Sequence, residues 1–285
     1  MSIQKQSIPV SGLTVHVYSQ SDIDPATPVA ILVFLHGRLG SVENVEWVAH
    51  STLQGVQERR KDGAQPAQDL LIVTFDQRNH GSRLVTELAN EDWAKKNDRH
   101  AIDMYAIYDG TSRDVSYLID FLPAYLFPSG ERQITQWLVG GISLGGHASW
   151  LTLRTEPRVK LGIPIIGCPD YLALMTDRAI KNGLTTGAPH FPDALLAVIK
   201  KDDPASAPYT SKEADNPFLG KKILVLSGAD DKLVPWAASE KFVESLELGE
   251  SGVKKVVLAP GVGHECTPDM VKEMTKFIWE EALAA

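Results

Sequence analysis

The stretch VGGISLGGHASW, Val139 to Trp150, admits two readings. A glycine-rich turn between a strand and a helix can cradle phosphates with its backbone amides, or it can lift a serine out of a sheet as a nucleophile. The phosphate reading needs a Lys-Ser/Thr pair after the glycines, or a dinucleotide fingerprint in the first strand–helix unit. This segment lacks the pair and lies mid-chain. What it holds is Gly141-Ile142-Ser143-Leu144-Gly145, a GxSxG pattern after the apolar run Trp137 to Gly141 and before the amphipathic stretch Leu144 to Arg154. That is the setting of a nucleophile elbow. Ser143 is then the candidate nucleophile on a strained turn, and the two glycines remove Cβ atoms that would collide with strand and helix. The amide of Leu144, at the helix N-terminus, is a candidate oxyanion donor. Ser149 falls inside the helix and reads as structural.

Working outward, the same alternation repeats. Val29 to Gly37, Leu70 to Asp76, Leu161 to Gly167, Lys222 to Gly228 and Lys254 to Gly261 are apolar runs of the kind that form strands buried on both faces. Amphipathic stretches over Val42 to Arg59, Ser112 to Tyr125, Ala237 to Leu246 and Pro268 to Leu283 read as helices between them. Ser7 to Tyr18, broken by Ser11-Gly12, reads as an antiparallel hairpin. Strands alternating with helices predict one doubly wound α/β domain with helices on both faces of a mostly parallel sheet. Residues 77–111 and 168–220 are too long for plain connections. They read as a long loop segment and a lid-like insertion leaving the carboxyl ends of strands, where open α/β sheets bind ligands.

Composition narrows the function classes. The 285 residues carry a formal net charge of -8, with Lys and Arg scattered, so nothing resembles a basic stripe for nucleic acid. No apolar run approaches the ~20 residues of a membrane span, and the N-terminus lacks the apolar core of a signal peptide, so a cytoplasmic protein is expected. The two cysteines, Cys168 and Cys266, form neither a CxxC nor a Cys/His cluster. Neither metal nor organic cofactor is indicated, and a homodimer is an allowed assembly.

A serine nucleophile needs a base and a carboxylate to orient it. Among eight histidines, His264 in PGVGHE follows the last strand-like run on a glycine-containing loop and stands third in the order Ser, acid, His. His36 and His80 sit in turns where an imidazole bonds backbone. His147 lies one turn along the helix from Ser143 and is poorly aimed at its oxygen, and His16, His50 and His190 belong to no motif. For the acid, SGADDKLVPW offers Asp230 and Asp231.

The elbow at Ser143, the turn at His36-Gly37, GADDKLVP and GHE together resemble the α/β-hydrolase superfamily, in consistent order over nearly the whole chain and closest to its serine-esterase and dienelactone-hydrolase-like members. The resemblance implies a mostly parallel sheet of about eight strands. It favours Asp231 as the acid over Asp230, whose other role is a turn or cap carboxylate. Asp170 in GCPDY is a lesser alternative. It also implies a second oxyanion donor in LHGRLGS, best matched by the amide of Arg38 and then Gly37. A single Gly after His36 departs from the triple-Gly run of one lipase group. The Arg38 side chain either reaches over the site towards a substrate carboxylate or pairs with Glu43 or Glu46.

FDQRNHGSR resembles the D-x-R-x-H-G turn of the superfamily, which implies structural roles for Asp76, Arg78 and His80. The segment that follows departs from most members and weakly resembles a fungal branch. Within it Trp93, His100, Met104 and Tyr105 are candidates for the wall of an acyl pocket, with plain packing as their other role. The expected activity is hydrolysis of a small or medium carboxylic ester. Thioesterase, acyltransferase and peptidase are the alternatives that share this triad, and a ligand-binding sensor is the alternative outside catalysis.

Overall fold

The computed structural model describes residues 2–21 and 26–284. Ile3–Val10 (β1) and Leu13–Gln20 (β2) pair antiparallel about Ser11 and Gly12, at φ 46° and 88°. Two positive-φ residues give a hairpin turn the twist its strands need. Val29–Leu35 (β3) is followed by a 3-10 turn at Val42–Val45, the helix Glu46–Lys61 (α1) and Asp69–Phe75 (β4). Every residue of β3 and β4 is buried, as their unbroken apolar runs require. Then come His100–Leu126 (α2), Ile134–Ile142 (β5), Leu144–Thr155 (α3), Val159–Ile165 (β6), Tyr171–Lys181 (α4) and Asp193–Asp202 (α5). Lys222–Gly228 (β7), Ala237–Ser245 (α6), Val253–Ala259 (β8) and Pro268–Ile278 (α7), which ends in a π turn, complete the chain.

The eight strands form one open sheet in the order β1-β2-β4-β3-β5-β6-β7-β8, parallel from β4 to β8. Side chains alternate across it. In β3, Ile31, Val33 and Leu35 join the core beneath α2 and α3, while Ala30, Leu32 and Phe34 join the one beneath α1 and α7. The succession of strands runs one way from β3 to β4 and the other way from β5 to β8. The switch point is therefore the β3/β5 boundary, where open α/β sheets place their ligands. No helix among the described residues is long and apolar enough to cross a membrane.

Two expectations needed correction. The last strand-like run does not form a strand buried on both faces: β8 is the sheet edge and alternates half-buried with exposed residues. Its Lys254 and Lys255 suit an edge that must not recruit further strands. Residues 77–111 are not loop to the end, because α2 begins at His100. The Asp109-Gly110 pair reads locally as a turn, yet Gly110 lies inside the helix, at the place where Arg78 crosses it and leaves no room for a side chain. A Cβ at Gly110 would lie 2.4 Å from Arg78 Cδ. The buried face of this first part of α2 mixes Ala101, Met104 and Ile107 with His100, Tyr105 and Tyr108, and the polar and aromatic members hid its helical period. Residues 168–220 contain α4 and α5.

Candidate active site

Ser143 stands between β5 and α3 at φ 56°, ψ -110°, a conformation an L-residue adopts only under constraint from its surroundings. The constraint is visible. Its amide donates to Ile165 O (2.9 Å), and the Gly145 amide donates to His36 O (3.1 Å). A Cβ on Gly145 would lie 2.3 Å from Leu35 O, and one on Gly141 2.6 Å from the Gly145 carbonyl. Both glycines of the GxSxG pattern are thus required by close approach. Ser149 donates to Gly145 O (2.7 Å) and is buried in α3, a packing role.

His264 reaches Ser143 from the loop after β8. Its Nε2 lies 2.8 Å from Ser143 Oγ, and its Nδ1 lies 2.7 Å from Asp231 Oδ2. Asp231 is buried, and its other oxygen, Oδ1, accepts from the amides of Leu233 and Val234, both at 2.8 Å. Burial pushes the Asp231 carboxyl up, but the hydrogen bonds from His264, Val234 and Leu233 outweigh it and hold the group below its ordinary range. The two loops are stitched together, since the Asp230 amide donates to Val262 O (2.9 Å). The Asp230 carboxylate itself is exposed. Asp170 caps α4 by accepting from the Ala173 amide (2.9 Å), so neither alternative acid faces His264.

Gly37 abuts Ser143: a Cβ there would be 3.7 Å from Ser143 Cβ. The next amide is that of Arg38, and the amide of Leu144, first residue of the 12-residue helix α3, directly follows Ser143 in the chain. Among the described residues neither amide donates to another protein group. Free amides of this kind, one of them at a helix N-terminus, are able to receive a developing negative charge.

The remaining histidines of this region hold backbone. His36 accepts from the Gln77 amide at Nε2 (3.0 Å) and meets Gly37 O at Nδ1 (2.8 Å). Burial pushes its pKa down to about 4, so it is neutral. His80 bonds Arg78 O (2.9 Å), and His147 accepts from the Cys168 amide (2.9 Å), its pKa pushed to about 3 by burial. Asp76 accepts from the amides of Val42 (3.0 Å) and Ser82 (2.7 Å) and from the Ser82 hydroxyl. Arg78 and Arg83 both pair with Asp114 of α2 at 2.9 and 2.8 Å. The D-x-R-x-H-G segment is therefore a brace between the Arg38 turn and α2.

The Arg38 side chain pairs with neither Glu43 nor Glu46 but donates to Asn90 O (3.0 Å). With Trp93 and His100 it lines a cleft of about 190 Å³ that also touches Leu233, two residues from Asp231. Met104 lies behind that cleft, its Sδ 3.5 Å from an Arg178 nitrogen. Tyr105 is plain packing, stacked edge-on against Tyr108 and Tyr171. Sequence reasoning missed Arg178, which lines the same cleft from α4. A signal existed. Arg178 follows Leu174 and Met175 on the buried stripe of α4, where an arginine is out of place unless something calls for its charge. A larger groove of about 550 Å³ runs between α1 and α7, far from these residues in the fold.

No family model matches the sequence, and no curated protein matches it either. Solved structures do. TT1662 from Thermus thermophilus is 23% identical, with a TM-score of 0.68 covering 99% of this chain and all of that one. Est1E from Butyrivibrio proteoclasticus, seen with ferulic acid bound, is 16% identical, with a TM-score of 0.58 over 97% of this chain and 98% of that one. An acylaminoacyl peptidase in complex with a peptidyl chloromethyl ketone is 14% identical, with a TM-score of 0.60 over 98% of this chain but 40% of that one. The chain has the α/β-hydrolase fold.

Proposed function

We propose that the protein is a serine hydrolase that cleaves a carboxylic ester of a small or medium substrate. The observation that carries the reading is the unbroken chain from Ser143 Oγ through His264 to Asp231, at 2.8 and 2.7 Å, on a serine held at φ 56°. Ser143 attacks the ester carbonyl while His264 Nε2 takes its proton. Asp231 fixes the tautomer with the proton on Nδ1 and stabilises the imidazolium that forms. The amides of Arg38 and Leu144 bind the oxyanion, and His264 returns the proton to the leaving alcohol. Water then resolves the acyl-enzyme by the same steps in reverse order of roles. No competing thiol nucleophile is available at this site, because burial pushes both Cys168 and Cys266 up to about 12.

The reading makes the chain one catalytic domain, with residues 77–111 and 168–220 walling and covering the site. Two free cysteines fit a cytoplasmic setting. A peptidase is the second reading, because a peptidase shares the fold. Fluorophosphonate labelling with turnover of short p-nitrophenyl esters and p-nitroanilides tests all of this. The wild type is expected to take up probe and release nitrophenol, and Ser143→Ala to do neither. Release of nitroaniline at comparable rates would favour the peptidase, and absence of labelling in folded protein would leave a binding role.

A further inference from the structure

The cleft beside the triad has an electrostatic character that ester hydrolysis alone does not need. Arg38, Arg178, Lys181 and Lys232 line it, against the carboxylates of Asp92 and Asp177. Asp177 pairs with Lys181 (2.6 Å) within the lining, and Asp92 accepts from the Lys95 amide (3.0 Å), which leaves Arg38, Arg178 and Lys232 facing one carboxylate. In a chain with a net charge of -8, this recess is positive. The two guanidiniums have no carboxylate of their own. Among the described residues neither forms an ion pair within 4 Å, Arg38 donating to Asn90 O and Arg178 to Leu233 O (2.8 Å). Arg178 Nε is buried with no partner, and so is Trp93 Nε1 in the wall of the same cleft.

A half-buried guanidinium without an anion, its Nε buried and unpartnered, is a costly arrangement. Burial, then the neighbouring Arg38, pulls the Arg178 pKa below its ordinary value. The same two arginines, after burial, push His100 down to about 3. An incoming carboxylate would offset the unpaired charge of the two arginines, receiving charge-assisted hydrogen bonds from planar guanidinium donors.

We propose that this cleft binds a carboxylate carried by the ester substrate, so that the preferred substrates are esters bearing a negative charge on the acyl or the alcohol side. The proposal rests on the reading of Ser143 as a nucleophile. Arg38 links the two sites, since it follows Gly37, which abuts Ser143, and lines the cleft. The small volume suits a compact anionic head group. A long acyl chain would find no room in it.

The test uses two ester pairs that differ only in a masked charge. One is p-nitrophenyl hydrogen adipate against its methyl ester, and the other is 3-carboxyphenyl acetate against 3-(methoxycarbonyl)phenyl acetate. In at least one pair the charged member should show a kcat/KM about ten- to a hundred-fold above its neutral partner, the range expected for hydrogen bonds to a charged group. Raising the salt concentration should shrink the ratio. Arg178→Gln should bring it towards one, whichever way the absolute rates move, while Arg178→Lys keeps part of it. Lys232 is exposed, so Lys232→Gln should fold normally and lower the ratio by a smaller factor. Calorimetry of adipate on Ser143→Ala should show binding that Ser143→Ala/Arg178→Gln lacks.

The outcomes separate the two readings. If neutral esters are hydrolysed, both ratios lie at or below one and adipate does not bind, the carboxylate site is wrong and the hydrolase reading stands. If no ester is turned over and Ser143 resists labelling, yet adipate binds in an Arg178-dependent way, the hydrolase reading fails and the cleft stands as a carboxylate site.

Discussion

Asp231→Asn should leave the fold intact and silence Ser143, for a reason that can be worked out atom by atom. Oδ1 of Asp231 accepts from two amides at 2.8 Å, and Oδ2 meets His264 Nδ1 at 2.7 Å. An asparagine has one acceptor and one NH2 to distribute over these positions. Turning the NH2 towards the two amides would strand two buried donors, at about 1–3 kcal/mol each. The oxygen must therefore stay with Leu233 and Val234, and the NH2 must face His264. The imidazole then answers with a bare Nδ1 and a protonated Nε2. A protonated Nε2 2.8 Å from Ser143 Oγ cannot take its proton. The equivalent tautomer inversion in serine proteases costs ~10⁴-fold in kcat, about 5.4 kcal/mol of barrier. The assay is p-nitrophenyl acetate turnover and fluorophosphonate labelling, with thermal unfolding as the control. Thermal stability should change little, because every hydrogen bond of the site is kept. A folded Asp231→Asn variant with more than about a tenth of wild-type kcat would refute the tautomer argument.

Gly145→Ala places a Cβ 2.3 Å from the Leu35 carbonyl, backbone against backbone, so α3 must shift. Labelling of Ser143 should fall more than tenfold with a loss of about 2–4 kcal/mol in urea unfolding. Asp76→Ala strands the amides of Val42 and Ser82 and should cost about 2–4 kcal/mol at neutral pH. Burial raises the Asp76 pKa, but hydrogen bonds from Ser82 and Val42 outweigh it and leave it below its ordinary 3.8. Its stabilisation is therefore complete above that value and lost as pH falls through the folded one. The gap between wild type and variant in urea midpoint should narrow below pH 4, and a gap that stays constant to pH 2 would contradict this. Lys221 is buried with its ammonium on Glu156 O and Val159 O, and burial, then Lys160, lowers its pKa from 10.5 to about 8. The folded state gives up this proton first, so stability should rise between pH 8 and 10.5, by at most on the order of 3 kcal/mol. Lys221→Met should lack that rise in urea titrations run side by side.

The candidate site was legible wherever a local pattern carries a geometric demand. Gly141 and Gly145 are such a case, because the strand–serine–helix turn has no room for a Cβ at either place. His264 and Asp231 were legible through their order and their position after apolar runs, which bring them to one edge of the sheet. The start of α2 was not, because its buried face mixes His and Tyr with Ala, Met and Ile and its interior glycine makes room for a side chain from another segment. The Arg38 side chain was not either. Its partner is Asn90, 52 residues away, and no spacing rule reaches that far.

By itself the sequence determined the alternation of strands and helices, the elbow at Ser143 and the order of the three residues aligned with it. These follow from periodicity and short-range sterics, which act within a few residues. The tertiary structure decided which acid faces His264, that His36 and His147 serve as neutral backbone clamps, and that Arg178 joins Arg38 in one recess. Those outcomes depend on burial and on charges meeting across α4, the Arg38 turn and the Asp231 loop. Only the packed chain brings these elements within range of one another.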